Sequence, residues 1–437
     1  MNSKIFPIIR ISILFSSLSF PQQVLTLEEA IKLALQNNYS ISIAKNEAEI
    51  SSNNSNIGNA GMLPEIDASG SYSKSITNTT QEFFDGRRVE RDNAESSNLT
   101  AGVSLNWTVF DGLRMFAALD RLKALKETGE LNFKSEVENN ISNLITTYYD
   151  IVRLNEVLEV IRTNIQISEQ RYKIAEDKLE VGSGSRFDLR QAQVDLNEDK
   201  SSLLREELNL LRAKILLNTF LAVDTKTDFS INDTILYKED LILEDLFLTA
   251  KEKNSQLRIA EENKTVSDLE ISLARSEIFP RISLDAGYDF SKSQSETGLL
   301  HINRNHGFNY GITASLNIFN GLTTRQNIEN AEINFKNSEL LYNEVVQLVE
   351  ADLYNSYNRY ENSRQIVALE KENLAAAEEN LDIALERLRL GNITPLEFRE
   401  TQIDFFNAKS RLVAAQFEAK SAETQLLRLS GQLITDL

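Results

Sequence analysis

The 437-residue sequence contains no cysteine. This excludes a disulfide framework, a cysteine-ligated metal site and lipid attachment through an N-terminal cysteine. Histidine is almost absent: only His301 and His306 occur, and two residues five apart in an expected loop make a poor metal or acid–base pair. With 16 glycines and 5 prolines, the chain has few breakers for its length, which favours long, uninterrupted helices. Basic side chains are in deficit, 46 against 65 acidic ones for a net charge of −19. That balance argues against a nucleic-acid partner. No stretch beyond the N-terminus approaches the roughly 18 apolar residues of a membrane-spanning helix. Phosphate loops, nucleophile motifs and the HExxH zinc signature are also missing, so neither a cofactor nor an enzymatic activity is expected.

What is present begins with residues 1–23, which read as a secretory signal. Lys4 and Arg10 give a basic start, and Ile11 to Phe20 is an apolar stretch too short to span a bilayer. A chain exported this way, with no later helical anchor, is secreted, periplasmic or in an outer membrane.

The remainder is written twice. Val24–Ala34 resembles Leu241–Lys251, and Pro64 matches Pro280, both at an offset of 216 residues. Further on the offset is 209: Phe110-Asp111-Gly112 matches Phe319-Asn320-Gly321, Tyr148 matches Tyr357, and Gly182 matches Gly391. The difference falls in two polar stretches, Ile76–Ser97 and Lys292–His306, which are expected to be loop tips. The expected organisation is a first repeat over 24–222, a linker over 223–240 and a second repeat over 241–437. Each repeat runs helix, strand, loop, strand, helix, turn, helix.

Within each repeat a seven-residue period marks a coiled-coil seam. Val137, Leu144, Ile151, Leu158, Ile165, Tyr172 and Leu179 form it in the first repeat. Val346, Leu353, Tyr360, Val367, Leu374, Leu381 and Leu388 form it in the second. The returning arms repeat the spacing from Leu189 to Leu217 and from Phe398 to Leu426. Two antiparallel helical hairpins follow, over 113–222 and 322–431, turning at Gly182–Ser185 and Gly391–Pro395. The helices ahead of the strands are expected to be continuous over Leu27–Ala60 and Leu241–Ile278.

Four runs alternate with period two, at about 65–75, 98–108, 281–291 and 307–318. Ile66, Ala68, Gly70 and Tyr72 interleave with Asp67, Ser69, Ser71 and Ser73, and the other runs behave alike. Ten residues of apolar-out, polar-in alternation suit a tilted transmembrane strand. They equally suit a half-buried soluble sheet. In lipid, four strands leave two unpaired edges, so other copies of the chain must complete a barrel. Two copies give eight strands and a filled interior; three copies and twelve strands give the smallest open conduit.

The duplicated arrangement resembles the TolC family of bacterial outer-membrane efflux and secretion proteins. The resemblance rests on LTLEEAIKLALQNN opening the first repeat, on Pro64 and Pro280 before strands, and on VFDG and IFNG after them. It rests also on the turns LEVGSGSRFDLRQAQVDL and LRLGNITPLEFRETQIDF. It implies a mixed fold: a homotrimer whose twelve-stranded barrel sits in outer-membrane lipid, continued by a long periplasmic helical coiled-coil barrel. It also implies passive export of small molecules together with a periplasmic adaptor protein and an inner-membrane RND or ABC pump. The helical turns would then be the periplasmic tips. Adaptor contacts would fall at Leu179, Val181, Gly182 and Ser183, and at Leu388, Leu390, Gly391 and Asn392.

By the same resemblance Glu397 and Glu400 would ring the tunnel entrance. Three carboxylates per level would then repel, raise one another's pKa and attract cations. Asp188 occupies the position where the family can tie the entrance shut with a tyrosine and an arginine, but those partner positions are Leu388 and Ile393 here. Two other readings stay open from sequence: a protein-secretion duct with the same tunnel, and an exported structural coiled-coil protein with a small soluble sheet.

Overall fold

The structure, a computed structural model, describes residues 24–297 and 300–434; the expected signal segment lies outside the described residues. The order is α1 (Leu27–Asn37), α2 (Tyr39–Asn54), β1 (Glu65–Glu82), β2 (Arg88–Phe110), α3 (Arg114–Glu180), α4 (Arg186–Leu221), then α5 (Leu243–Lys253), α6 (Ser255–Ser276), β3 (Arg281–Ser295), β4 (Ile302–Ser315), α7 (Thr323–Arg389) and α8 (Pro395–Leu429). The second six elements repeat the first six. Even individual hydrogen bonds are duplicated: Asn38 Nδ2 donates to the Phe220 carbonyl at 2.9 Å, and Asn254 Nδ2 donates to the Leu429 carbonyl at 2.8 Å.

Those two asparagines change one expectation. The helix before each strand pair is broken in two, because Asn38 and Asn254 adopt extended backbone, with ψ of 128° and 121°. Each asparagine ends one helix and caps the next, its Oδ1 accepting from the N–H of Ile41 or Leu257.

Helices α3 and α7, each 67 residues, reach about 100 Å at 1.5 Å per residue. Both start after two successive residues with left-handed backbone, Gly112-Leu113 and Gly321-Leu322. The preceding Asp111 Oδ1 accepts from the Met115 N–H at 3.2 Å. The expected seams are the core: Leu144, Ile151, Leu158, Leu353, Tyr360, Val367, Phe398, Ala419 and Leu426 are buried. The linker supplies part of it, since Phe229, Ile231 and Ile235 pack in the same cluster as Leu144 and Leu217. On α4 the expected seam residues Leu189, Leu196 and Leu203 are only half-buried, while Ala192, Asp195 and Asp199 are buried instead. The lower part of that seam is therefore polar.

The helices lie side by side in a single layer. Near the sheet the order is α2, α3, α6, α7; toward the hairpin turns it is α4, α3, α8, α7. The sheet has the order β1-β2-β3-β4, every pair antiparallel. The polar stretches expected to be loops are largely strand. β1 and β2 stay paired from Glu65 opposite Asn106 to Glu82 opposite Arg88, so only 83–87 turn. The part beyond Ile76 is a two-stranded ribbon that continues past the end of the β2–β3 pairing at Ser96, with Arg91 and Glu95 bonded to Glu296 just after β3. Threonine-rich backbone saturates its hydrogen bonds there by hairpin pairing without needing an apolar face.

Candidate functional site at the open edges and hairpin tips

Alternation along the strands separates two faces. One carries exposed Ile66, Tyr72, Val103, Tyr288, Phe308 and Ile312. The other is polar and cross-linked: Ser71 bonds Thr100 at 2.8 Å, Asn106 Nδ2 donates to Asp285 at 2.6 Å, and Asn309 Nδ2 donates to Asp289 at 2.7 Å. An apolar outer face over a polar inner one is the pattern of a barrel wall in lipid. Among the described residues, β1 and β4 each have a strand on one side only.

The helical layer ends in the same way. On the β1 side its margin is α2 and α4, exposing Ile43, Ile50, Val194, Leu204, Leu208 and Leu211. On the β4 side its margin is α7, exposing Leu340, Leu341, Leu348, Ile366, Leu369 and Ile383. Isolated exposed leucines are ordinary, but two continuous apolar margins on opposite sides of one layer are an unfilled interface.

At the far end, both turns close with the same backbone motif. Gly182 and Gly391 take φ of 77° and 74°. Ser183 N–H reaches back to the Lys178 carbonyl at 2.9 Å, and Asn392 N–H to that of Arg387 at 2.8 Å. Positive φ makes glycine the natural residue here. Val181 and Leu390 beside the glycines are 78% and 72% exposed, whereas Leu388 is 2% exposed. Leu388 therefore does not belong among the tip contacts. It packs with Leu381, Phe398 and Phe405 beneath the turn, and its carbonyl accepts from Lys178 Nζ at 3.3 Å. Leu179 is half-buried; Gly182, Ser183, Gly391 and Asn392 are exposed.

The acidic candidates divide. Glu397 is the third residue of α8 and closes a capping box with Thr394. Its carboxylate accepts from the Thr394 N–H at 2.7 Å and hydroxyl at 2.9 Å, which holds its pKa below the usual carboxylate range. The mutual repulsion expected in a ring is thus opposed, at this position, by helix capping. Glu400 is exposed, with no such bond. Asp188, half-buried, lines a cavity of about 610 Å³ together with Arg171, Phe187, Asp195, Leu388 and Arg399.

Above that cavity lies a buried polar network that sequence reasoning missed. Arg399 of α8 makes two bonds to Asp199 of α4, at 3.1 and 3.0 Å. Arg171 of α3 pairs with Asp195 of α4, which also accepts from Gln191 at 2.9 Å. Gln402 of α8 donates to Asn164 Oδ1 at 2.7 Å and to Ser168 Oγ at 2.8 Å. The signal was available in sequence: Ala192, Asp195 and Asp199 fall three and four residues apart, one stripe of a helix. No cluster of three or more His, Cys, Asp or Glu side chains suited to a metal ion occurs among the described residues. Nor is any described helix long and apolar enough to cross a membrane.

Compared with known families, the chain matches the outer membrane efflux protein family over residues 30–223 and 246–432. It is 21% identical to the outer membrane efflux protein BepC of Brucella suis, covering 94% of this chain and 86% of that one. It is 21% identical to the outer membrane protein TolC of Vibrio cholerae, covering 86% and 83%. Among solved structures, the transmembrane channel CusC superposes with a TM-score of 0.78 at 18% identity, covering 94% of this chain and 96% of that one.

Proposed function

The chain belongs to the outer membrane efflux protein family and is an outer-membrane channel of tripartite efflux systems, with a large periplasmic portion; from that premise we propose how it assembles and closes. Three copies form one passive conduit, each supplying four strands of a twelve-stranded barrel and one third of a helical tunnel. The observation that carries this reading is the coincidence of the open edges. β1, α2 and α4 end the molecule on one side, and β4 and α7 end it on the other, so a rotated copy fills sheet and helices at once. A closed barrel is also the only sheet that leaves no backbone edge in hydrocarbon. The conduit catalyses nothing itself. Its exposed tips around Val181, Gly182, Ser183, Leu390, Gly391 and Asn392 meet a periplasmic adaptor, which joins it to an inner-membrane RND or ABC pump.

The absent tyrosine–arginine closure is replaced. Arg399–Asp199 ties the two hairpins of one copy together a short way above the entrance, and dilation between them must break it; Arg171–Asp195 braces the two arms of the first hairpin. Glu400, with Glu397, places negative charge at the mouth. Molar mass and negative-stain imaging of the detergent-extracted protein test the assembly. A trimer shaped as a rod of roughly 140 Å, about 100 Å of helix plus a barrel of bilayer height, is expected. A species soluble without detergent would overturn it.

A further inference from the structure

The strand register sorts the apolar face of the sheet into rows, and one row breaks the pattern. It crosses all four strands as Tyr72, Leu99, Lys292 and Arg304. Lys292 and Arg304 are direct partners across β3 and β4, so two cations stand on one face with Cβ atoms about 5 Å apart. Like charges placed directly opposite destabilise a sheet. An anion held between them would remove that cost.

No acid of the sheet supplies this anion. Glu95 pairs with Lys74 at 2.8 Å, and Glu296 with Arg91 at 3.6 Å, so each of these acids already has its base. The acidic residues of β3 and β4 are Asp285 and Asp289. Both lie on the polar face, bonded to Asn106 and Asn309. Among the described residues, Lys292 and Arg304 have neither an ion pair nor a side-chain hydrogen bond. Arg304 is exposed and Lys292 half-buried.

The height of this pair in the membrane is set by the strands. β3 follows α6 and β4 leads into α7, so the turn between the two strands lies at the end away from the periplasmic helices. From Ile282 to Lys292 is ten residues. At about 3.3 Å per residue and a tilt of about 40°, that rise is roughly 25 Å, the height of the apolar band of an outer-membrane barrel. Below Lys292 and Arg304 the same face carries Phe290 and then Tyr288 opposite Phe308. At the periplasmic end it carries Ile66, Trp107, Ile282 and Ala314, with no charge. The unpaired cations thus stand where the outer edge of the bilayer meets the sheet, above a patch of exposed aromatic rings.

We infer that Lys292 and Arg304 hold a phosphate of an outer-leaflet lipid, whose acyl chains run down over Phe290, Tyr288 and Phe308. A guanidinium can take two phosphate oxygens at once, and the lysine adds a mobile point charge. Both stems are long enough to lie on the apolar face while the charged heads reach the headgroup level. A lipid is favoured over free phosphate because the rings beneath the cations offer an apolar seat that a free anion would not use. The site belongs to one copy and rests on the outer-membrane placement above, not on the number of copies in the conduit.

The test uses the full-length protein extracted in non-ionic detergent, with diphosphoryl lipid A as the probe and native mass spectrometry to count the lipids retained. The natural protein should retain one per copy. Lys292→Gln with Arg304→Gln should weaken retention about tenfold or more. Arg304→Lys, which keeps the charge but loses the fork, should weaken it several-fold. Lys74→Gln, whose charge is already matched by Glu95, should stay within about twofold of the natural protein. Equal retention by the natural protein and the double variant would overturn the site. So would an equal loss in Lys74→Gln, which would make the binding diffuse surface charge. Displacement of the lipid by millimolar inorganic phosphate would overturn the lipid assignment in favour of a free-anion site. A protein that proves soluble without detergent would remove the membrane placement and this inference together.

Discussion

Replacing Asp199 by asparagine removes one carboxylate while keeping the size and one acceptor oxygen. What it leaves behind is the guanidinium of Arg399, whose side chain is 13% exposed, beside a site that is 8% exposed. Both values put the pair in the buried regime, where deleting one partner costs about 3–5 kcal/mol because the other charge stays desolvated. The remaining amide oxygen and Ser168 place the expected cost near the lower figure, about 3 kcal/mol. At 1.4 kcal/mol per tenfold change, that is roughly a hundredfold shift away from any state that keeps Arg399 enclosed. Because α4 and α8 belong to different hairpins of one copy, the state favoured instead has them parted.

The assay is conductance in planar bilayers, read as the fraction of time in high-conductance states. Asp199→Asn should raise that fraction strongly. A double replacement, Asp199→Leu with Arg399→Met, should return it close to that of the natural protein, since apolar pairs of similar volume commonly replace buried ion pairs without loss. Conductance of Asp199→Asn within twofold of the natural channel would refute the latch. Equal opening in the single and double variants would show that lost packing, not the stranded charge, was responsible.

Asn254→Ala removes the cap of α6 and the bond to the Leu429 carbonyl, and should lower stability by about 1–2 kcal/mol, read as a drop in melting temperature in detergent; no change would show the helix break to be unsupported. Glu397→Gln with Glu400→Gln should weaken cation block of the channel several-fold, and an unaltered block would reject their place at the mouth. Tyr360 is buried with its hydroxyl on the Lys238 carbonyl, and burial pushes its pKa up to about 12. A neutral phenol favoured by the fold contributes fully below pH 10 and loses that contribution as pH rises from 10 to 12. Phenolate absorbance should therefore show a late-titrating fraction, to which buried Tyr148 and Tyr149 also contribute; Tyr360→Phe should reduce that fraction and flatten stability over that window.

How much of this was legible in the sequence depends on the length scale of the signal. The seam from Val137 to Ile165 repeats over many turns, so its period survives local exceptions, and those residues are buried. The break at Asn38 rests on one residue whose side chain is satisfied by Phe220, 182 positions away, and no local window contains that partner. The ribbon beyond Ile76 looks like a loop in sequence because polarity on both faces hides the period of two, although hairpin pairing alone fixes it. At the tips, the glycines were legible from their positions, but Leu388 was misplaced: one helical turn before Gly391, it falls on the inner side of the turn. The buried pairs of Asp195 and Asp199 were hidden for a related reason. An apolar period does not mark a seam that is polar, as it is on lower α4.

That exception bears on how a duplicated chain becomes a gated conduit. Each repeat has two flanks, and one flank is filled by its sibling in the same chain. The other remains apolar and open along Leu204, Leu208 and Leu211 on one margin and Leu340, Leu348 and Leu369 on the other. A coiled-coil protein meant to stay alone would bury those margins within the chain; here they continue into the free strands β1 and β4. Sheet and helices thus demand the same neighbour. In the proposed ring the seams would be unequal in chemistry: Arg399 has Asp199 within a copy, whereas the residues 209 positions away from that pair, Arg190 and Ala408, cannot form an ion pair. Around three such chains, seams tied by the Arg399–Asp199 pair would alternate with seams that lack it, and dilation at the latter would strand no buried charge.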